Sequence, residues 1–155
     1  MIVKRHRAMF LTLCEDLLER GYDVRFRAEG TSMMPTIQDG DAVTVSPVDR
    51  GGIEPGEIVL YRRAGRPIAH RVAEIRTSAV GGVVMVARGD GKAGCDAPVA
   101  AEEILGKVVS IERQAAGSTG RTYPNMARLM RKGVASLTHA IRPVALLARS
   151  VAVCA

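Results

Sequence analysis

From Val24 to Ile111 the chain is a succession of short apolar, β-branched runs broken at regular intervals by turn residues. "DVRFR", "DAVTVSP", "EIVLYRR", "PIAHRVAEI", "GVVMVARGD" and "ILGKVVSIE" follow one another, with Asp39-Gly40-Asp41 and Pro55-Gly56 among the breaks. Short β-branched runs separated by regular Gly, Pro and Asp turn signals predict an antiparallel, mostly-β module. The expected body is therefore mainly β, a coiled and partly closed antiparallel sheet over residues 23–113. Aromatic residues are only 3% of the chain and Trp is absent, so the core must be built from Val, Ile, Leu, Ala and Met.

The flanks read differently. Met9, Phe10, Leu13, Leu17 and Leu18 recur at helical spacing, so residues 1–22 are expected to hold an amphipathic helix stopped at Gly21. Residues 114–122, "QAAGSTGRT", read as a linker. In 123–155, Met126, Leu129, Met130, Val134, Leu137, Ile141, Val144, Leu147 and Val151 share one helical face. Arg128, Arg131, Lys132, His139, Arg142 and Arg149 share the other, so an amphipathic helix over 126–151, kinked near Pro143, is predicted. Such a helix can cover the sheet, pair with a partner subunit, or lie on an anionic membrane surface.

Net charge is +6, which permits anionic partners without naming one. The scarcity of stacking aromatics argues against nucleic acid. Glu15, Asp16 and Glu19 interrupt the first apolar patch too early for a signal peptide, and no spanning helix is predicted. A cytoplasmic or peripheral-membrane protein is expected. Cys14, Cys95 and Cys154 are dispersed, without CxxC or zinc spacing, and are expected to be reduced and mostly buried. No metal or cofactor is implied. "LGKVVS" lacks the upstream glycine of a phosphate loop, and "DGKAGCD" puts Lys92, Ala93 and Gly94 where calcium needs oxygen ligands.

Ser32, in "GTSMMPT", is the candidate for chemistry. A serine hydroxyl needs a positioned base to act as a nucleophile. Of the three histidines, His6 lies in a basic start and His139 on the polar face of the predicted last helix. His70 lies on a predicted strand within the β module, where alternation puts it with Ile68 and Val72. Asp90 or Asp96 could orient its imidazole by accepting the second ring proton.

Taken in order, "GTSMMPTIQDGDAVTVSPV", "GEIVLYRR", "IAHRVAEI", "RGDGKAGCD" and "ILGKV" resemble the boxes of the signal peptidase superfamily, which includes the LexA-like self-cleaving repressors. The resemblance spans about residues 26–111. It implies that Ser32 is the nucleophile, that His70 is the general base, and that Asp90 or Asp96 orients it. Histidine at the base position, where leader peptidases and repressors carry lysine, resembles the endoplasmic-reticulum and archaeal signal peptidases. Gly30 stands where many members have a serine that helps to bind the oxyanion, so the backbone N–H of Ser32 would carry that task.

The resemblance implies a serine endopeptidase that cleaves an exported or precursor polypeptide through an acyl-enzyme. Gly30, Thr31, Met33, Met34 and Pro35 would form the substrate ledge, with the methionines as apolar lining. A polypeptide substrate is the expected partner, held as an added strand beside the Ser32 segment. The alternatives are a non-catalytic peptide-binding or scaffold module of the same fold and, with no room for a helix-turn-helix in residues 1–25, less readily a self-cleaving regulator.

Overall fold

The computed structural model describes residues 2–48, 52–78, 81–115, 118–124, 144–146 and 151–152. Among the described residues one α-helix, α1 (Ile2–Glu19), precedes ten strands. These are β1 (Asp23–Glu29), β2 (Ala42–Ser46), β3 (Ile58–Arg63), β4 (Arg66–Thr77), β5 (Val83–Arg88), β6 (Val99–Ala100), β7 (Ile104–Ala115), β8 (Ser118–Pro124), β9 (Val144–Leu146) and β10 (Val151–Ala152). Seven of them form the expected antiparallel sheet in the order β1-β2-β7-β3-β4-β5-β6. The sheet does not close: among the described residues its end strands β1 and β6 do not pair.

Two long strands let one sheet build two cores. β4 pairs with β3 through its first half and with β5 through its second, turning at an irregularity between Val72 and Glu74. β7 likewise serves β2, β3 and β8. The shared wall is β3–β4, joined by Ala64 and Gly65, both at positive φ as a two-residue type I′ hairpin turn requires. Strand alternation then divides the side chains. Ile58, Leu60 and Ala69 face a core with Phe10, Cys14, Leu18, Val24, Phe26, Val43 and Val45. Val59, Tyr61, Ile68 and Val72 face a second core with Met85, Ala87 and Val99. His70 lies on this second face, as the alternation predicted.

The helix presents a slightly rotated face. Phe10, Leu11, Cys14 and Leu18 are buried, whereas Met9 and Leu13 are exposed. It ends as expected: Gly21, at positive φ, and Tyr22 donate their amides to the carbonyls of Leu18 and Leu17. Cys14 is inert core, its thiol pushed up to about 12 by burial and then by the charge of Glu15. Cys95, contrary to expectation, is exposed; Cys154 lies outside the described residues.

One further expectation is corrected, and another is described only at its end. The linker over 114–122 is largely strand, because Ser118–Pro124 folds back on β7 and satisfies its backbone there. The helix over 126–151 lies largely outside the described residues, and with it any contact with a membrane or partner subunit. Where its end is described, the chain is extended: β9 and β10 pair in parallel with β1. Pro143 removes a helical N–H, and the branched Val144 and Val151 suit a strand better than a helix end. Among the described residues no helix is long and apolar enough to cross a membrane.

Candidate active site

β1 delivers the chain to Gly30, whose φ of 101° only glycine adopts freely. The Gly30 amide is held by Asp39 Oδ1 at 2.8 Å, and residues 31–37 then wind into tight turns. Met34 N–H donates to the Thr31 carbonyl and Ile37 N–H to that of Met33, both at 3.0 Å. This coil splits the two methionines. Met33 is fully buried in the first core, whereas Met34 is 42% exposed. Met33 therefore packs into the core, whereas Met34, Thr31 and Pro35 are exposed.

Ser32 is 4% exposed and its Oγ lies 3.0 Å from His70 Nε2. On the other side of the ring, His70 Nδ1 meets Asp96 Oδ2. For Ser32 to donate, Nε2 must be the unprotonated nitrogen, so the ring proton sits on Nδ1 and is donated to Asp96. Asp96 reaches this position because the loop after β5 folds back. Its own amide bonds the Ala87 carbonyl at 2.7 Å, and Arg63 Nη2 holds the carbonyls of Ala97 and Pro98.

Tyr61, which sequence reasoning passed over as one more residue of an apolar strand, completes the line. Its hydroxyl donates to Asp96 Oδ2 at 2.9 Å. The 3.4 Å separation between the same hydroxyl and His70 Nδ1 brings two donors together and is no hydrogen bond. Asp96 thus accepts from both. The signal was available: a tyrosine on a strand buried on both faces needs a partner for its hydroxyl.

Asp90, the other aspartate, does not touch His70. It forms a fork with Arg71, accepting Nε at 2.8 Å and Nη2 at 2.6 Å, and accepts the Thr36 hydroxyl at 2.5 Å. Burial works against its charge, but the hydrogen bonds from Arg71 and Thr36, with the positive charges of Arg71 and Arg88, outweigh it. The carboxyl is held below its ordinary value, and the bond to Asp90 raises Arg71 in turn. Arg71 Nη1 also reaches the Gly56 carbonyl at 2.7 Å. One ion pair therefore ties the Ser32 coil, the loop after β5 and the Pro55-Gly56 turn together.

The two glycines beside Asp90 are required by proximity. A Cβ on Gly89 would lie 2.5 Å from the Ser32 carbonyl oxygen and 3.1 Å from His70 Nε2. A Cβ on Gly91 would lie 3.0 Å from the Thr31 oxygen, and the Gly91 amide donates to the Ser32 carbonyl at 2.8 Å. "GDG" is a turn, closed by the Lys92 amide on the Gly89 carbonyl at 2.9 Å, that also forms a close seam between two loops. Arg113 Nη2 clamps the far end of the coil through the carbonyls of Pro35 and Thr36.

A model of the Peptidase S24-like family matches residues 3–109. The chain belongs to this family. Its members are serine peptidases of the superfamily that holds LexA and the signal peptidases, and the match runs from α1 into β7. No curated protein and no solved structure matches the chain. Among the described residues no cluster of three or more His, Cys, Asp or Glu could hold a metal ion.

Proposed function

We propose that the protein is a serine endopeptidase in which Ser32 is the nucleophile, His70 the general base and Asp96 the residue that positions the imidazole. The observation that carries this reading is the unbroken line from Ser32 Oγ through both nitrogens of His70 to Asp96. As the Ser32 oxygen attacks a scissile carbonyl, its proton passes to His70 Nε2, and the resulting imidazolium is stabilised by Asp96. His70 then gives that proton to the departing amine, leaving an acyl-serine. Water, deprotonated by the same nitrogen, releases the acid and restores Ser32. The developing oxyanion faces the Ser32 amide, which among the described residues donates to no protein acceptor.

A histidine base distinguishes this site from the serine–lysine pattern, which requires a desolvated neutral amine. It supports the finer reading of a peptidase like the endoplasmic-reticulum and archaeal signal peptidases, acting on an exported or precursor polypeptide. Hydrolysis of peptides with small residues at the cleavage site, by the native chain and by Ser32→Ala and His70→Ala, tests the reading. Both variants should lose activity; turnover at the native rate in both would refute it.

A further inference from the structure

The edge of β1 that leads to Ser32 is already occupied. On one side β1 pairs with β2; on the other it pairs with β9 along Asp23–Arg25 and with β10 along Ala28–Glu29. Both added strands are parallel to β1, so they run toward Gly30 and the nucleophile. β10 also comes within 8 Å, Cα to Cα, of β4, the strand that carries His70. The register opposite Ala28 and Glu29 places Val151–Ala152 at the end of β1 that leads through Gly30 to Ser32.

We propose that this edge is the groove that receives an extended polypeptide, and that the chain's own strands β9 and β10 hold it as an intramolecular competitor. The proposal rests on the peptidase reading for its consequence, but the occupancy itself does not. A free strand edge offers a ladder of donors and acceptors to any extended peptide. A peptide in the register of β10 that continues past the position of Ala152 runs on beside Gly30 toward Ser32. The residues that hold the edge, Val144, Ala145, Leu146, Val151 and Ala152, are all uncharged and small or aliphatic. They define the chemistry of peptide that the groove takes.

The pairing is built to be displaced. β9 contributes three residues and β10 two, in parallel ladders, which are weaker per residue than antiparallel ones. The register also slips between them: from Leu146 to Val151 is five steps along the segment, whereas their partners Arg25 and Ala28 are three apart. Tethering makes up for the weak contact, because a linked segment competes at an effective concentration on the order of millimolar. Occupancy of about 90% would lower the apparent affinity for substrate about tenfold without touching the chemical step.

The test uses the full chain with Val151→Pro and Ala152→Pro together, which removes both backbone donors of β10. KM for a small-residue peptide should fall about tenfold with kcat unchanged, and a synthetic peptide of residues 144–152 should restore the native KM by competition. Should circular dichroism show the proline chain unfolded, Ala152→Asp replaces it. That change keeps the backbone donors and sets a like charge opposite Glu29. Binding is read separately in a Ser32→Ala background, where the labelled peptide should bind the variant at least tenfold more tightly than the chain with its native β10. If that difference appears and no chain hydrolyses peptide, the peptidase reading fails and the occupancy stands. Equal binding to both chains, or an unchanged KM in an active enzyme, overturns the occupancy.

Discussion

Tyr61→Phe removes one oxygen and little else. The Tyr61 ring is fully buried between Ile68, Val59 and their neighbours in the second core, so phenylalanine keeps the packing and opens no cavity larger than a hydroxyl. What goes is the 2.9 Å bond to Asp96 Oδ2. A hydrogen bond to a charged group contributes about 1.5–3 kcal/mol. Asp96 keeps its bond to His70, and its side chain is 20% exposed, so water can take up part of the loss. The lower end of the range, about 1.5 kcal/mol, is therefore expected. If that free energy is spent on holding Asp96 against the imidazole as charge develops, it appears in the transition state and lowers kcat about tenfold. KM should not move, because Tyr61 lies behind His70 and away from the peptide. Steady-state kinetics on one peptide, with a thermal melt of the same preparation, makes the measurement. A kcat within twofold of native would show that Asp96 needs no second donor. A fall in Tm with kcat intact would assign the hydroxyl to stability alone.

The two aspartates should separate cleanly. Asp96→Asn should lower kcat by about 10³–10⁴ with little effect on stability, by comparison with the general serine triad. Asp90→Asn should instead cost about 2 kcal/mol of stability, since it breaks a partly buried fork to Arg71; melts and kinetics on the pair check both. Because the folded state depresses Asp90, its contribution is complete above the ordinary aspartate value of about 3.9 and is lost as pH falls through the lower, folded value. Native Tm should thus drop more steeply than that of Asp90→Asn on acidification below about pH 4. Gly89→Ala, which drives a Cβ against the Ser32 carbonyl and His70, should cost about 100-fold in kcat, while Gly94→Ala, in open space, should cost nothing measurable by the same assay. Met33→Ala should destabilise by about 2–5 kcal/mol and Met34→Ala by less than about 0.5, as denaturant titration would show.

What the sequence disclosed and what it withheld divide along the range of the interactions. Strand alternation is local, so Ile68, His70 and Val72 could be placed on one face from their spacing, and the Gly40, Gly56 and Gly21 punctuation marked real chain reversals. The choice between Asp90 and Asp96 was not local. Both follow the same strand, six residues apart, and only the return of the loop to the Ala87 carbonyl lifts Asp96 to the Nδ1 side of His70. Asp90, next to the seam at Gly89 and Gly91, is captured by Arg71 from the opposite face of β4. Neighbouring residues on one strand thus take the two acids in opposite directions: His70 inward to Asp96, and Arg71 outward to Asp90. The described end of the segment read as a helix over 126–151 departs from that reading for the same reason. A face of apolar residues at period 3.6 reports what a segment could do alone, but Val144–Leu146 and Val151–Ala152 meet an open strand edge at β1. An edge already formed supplies the hydrogen bonds that a helix would have to make for itself, so tertiary context overrides periodicity there. It does so along the edge of β1, the strand that leads through Gly30 to Ser32.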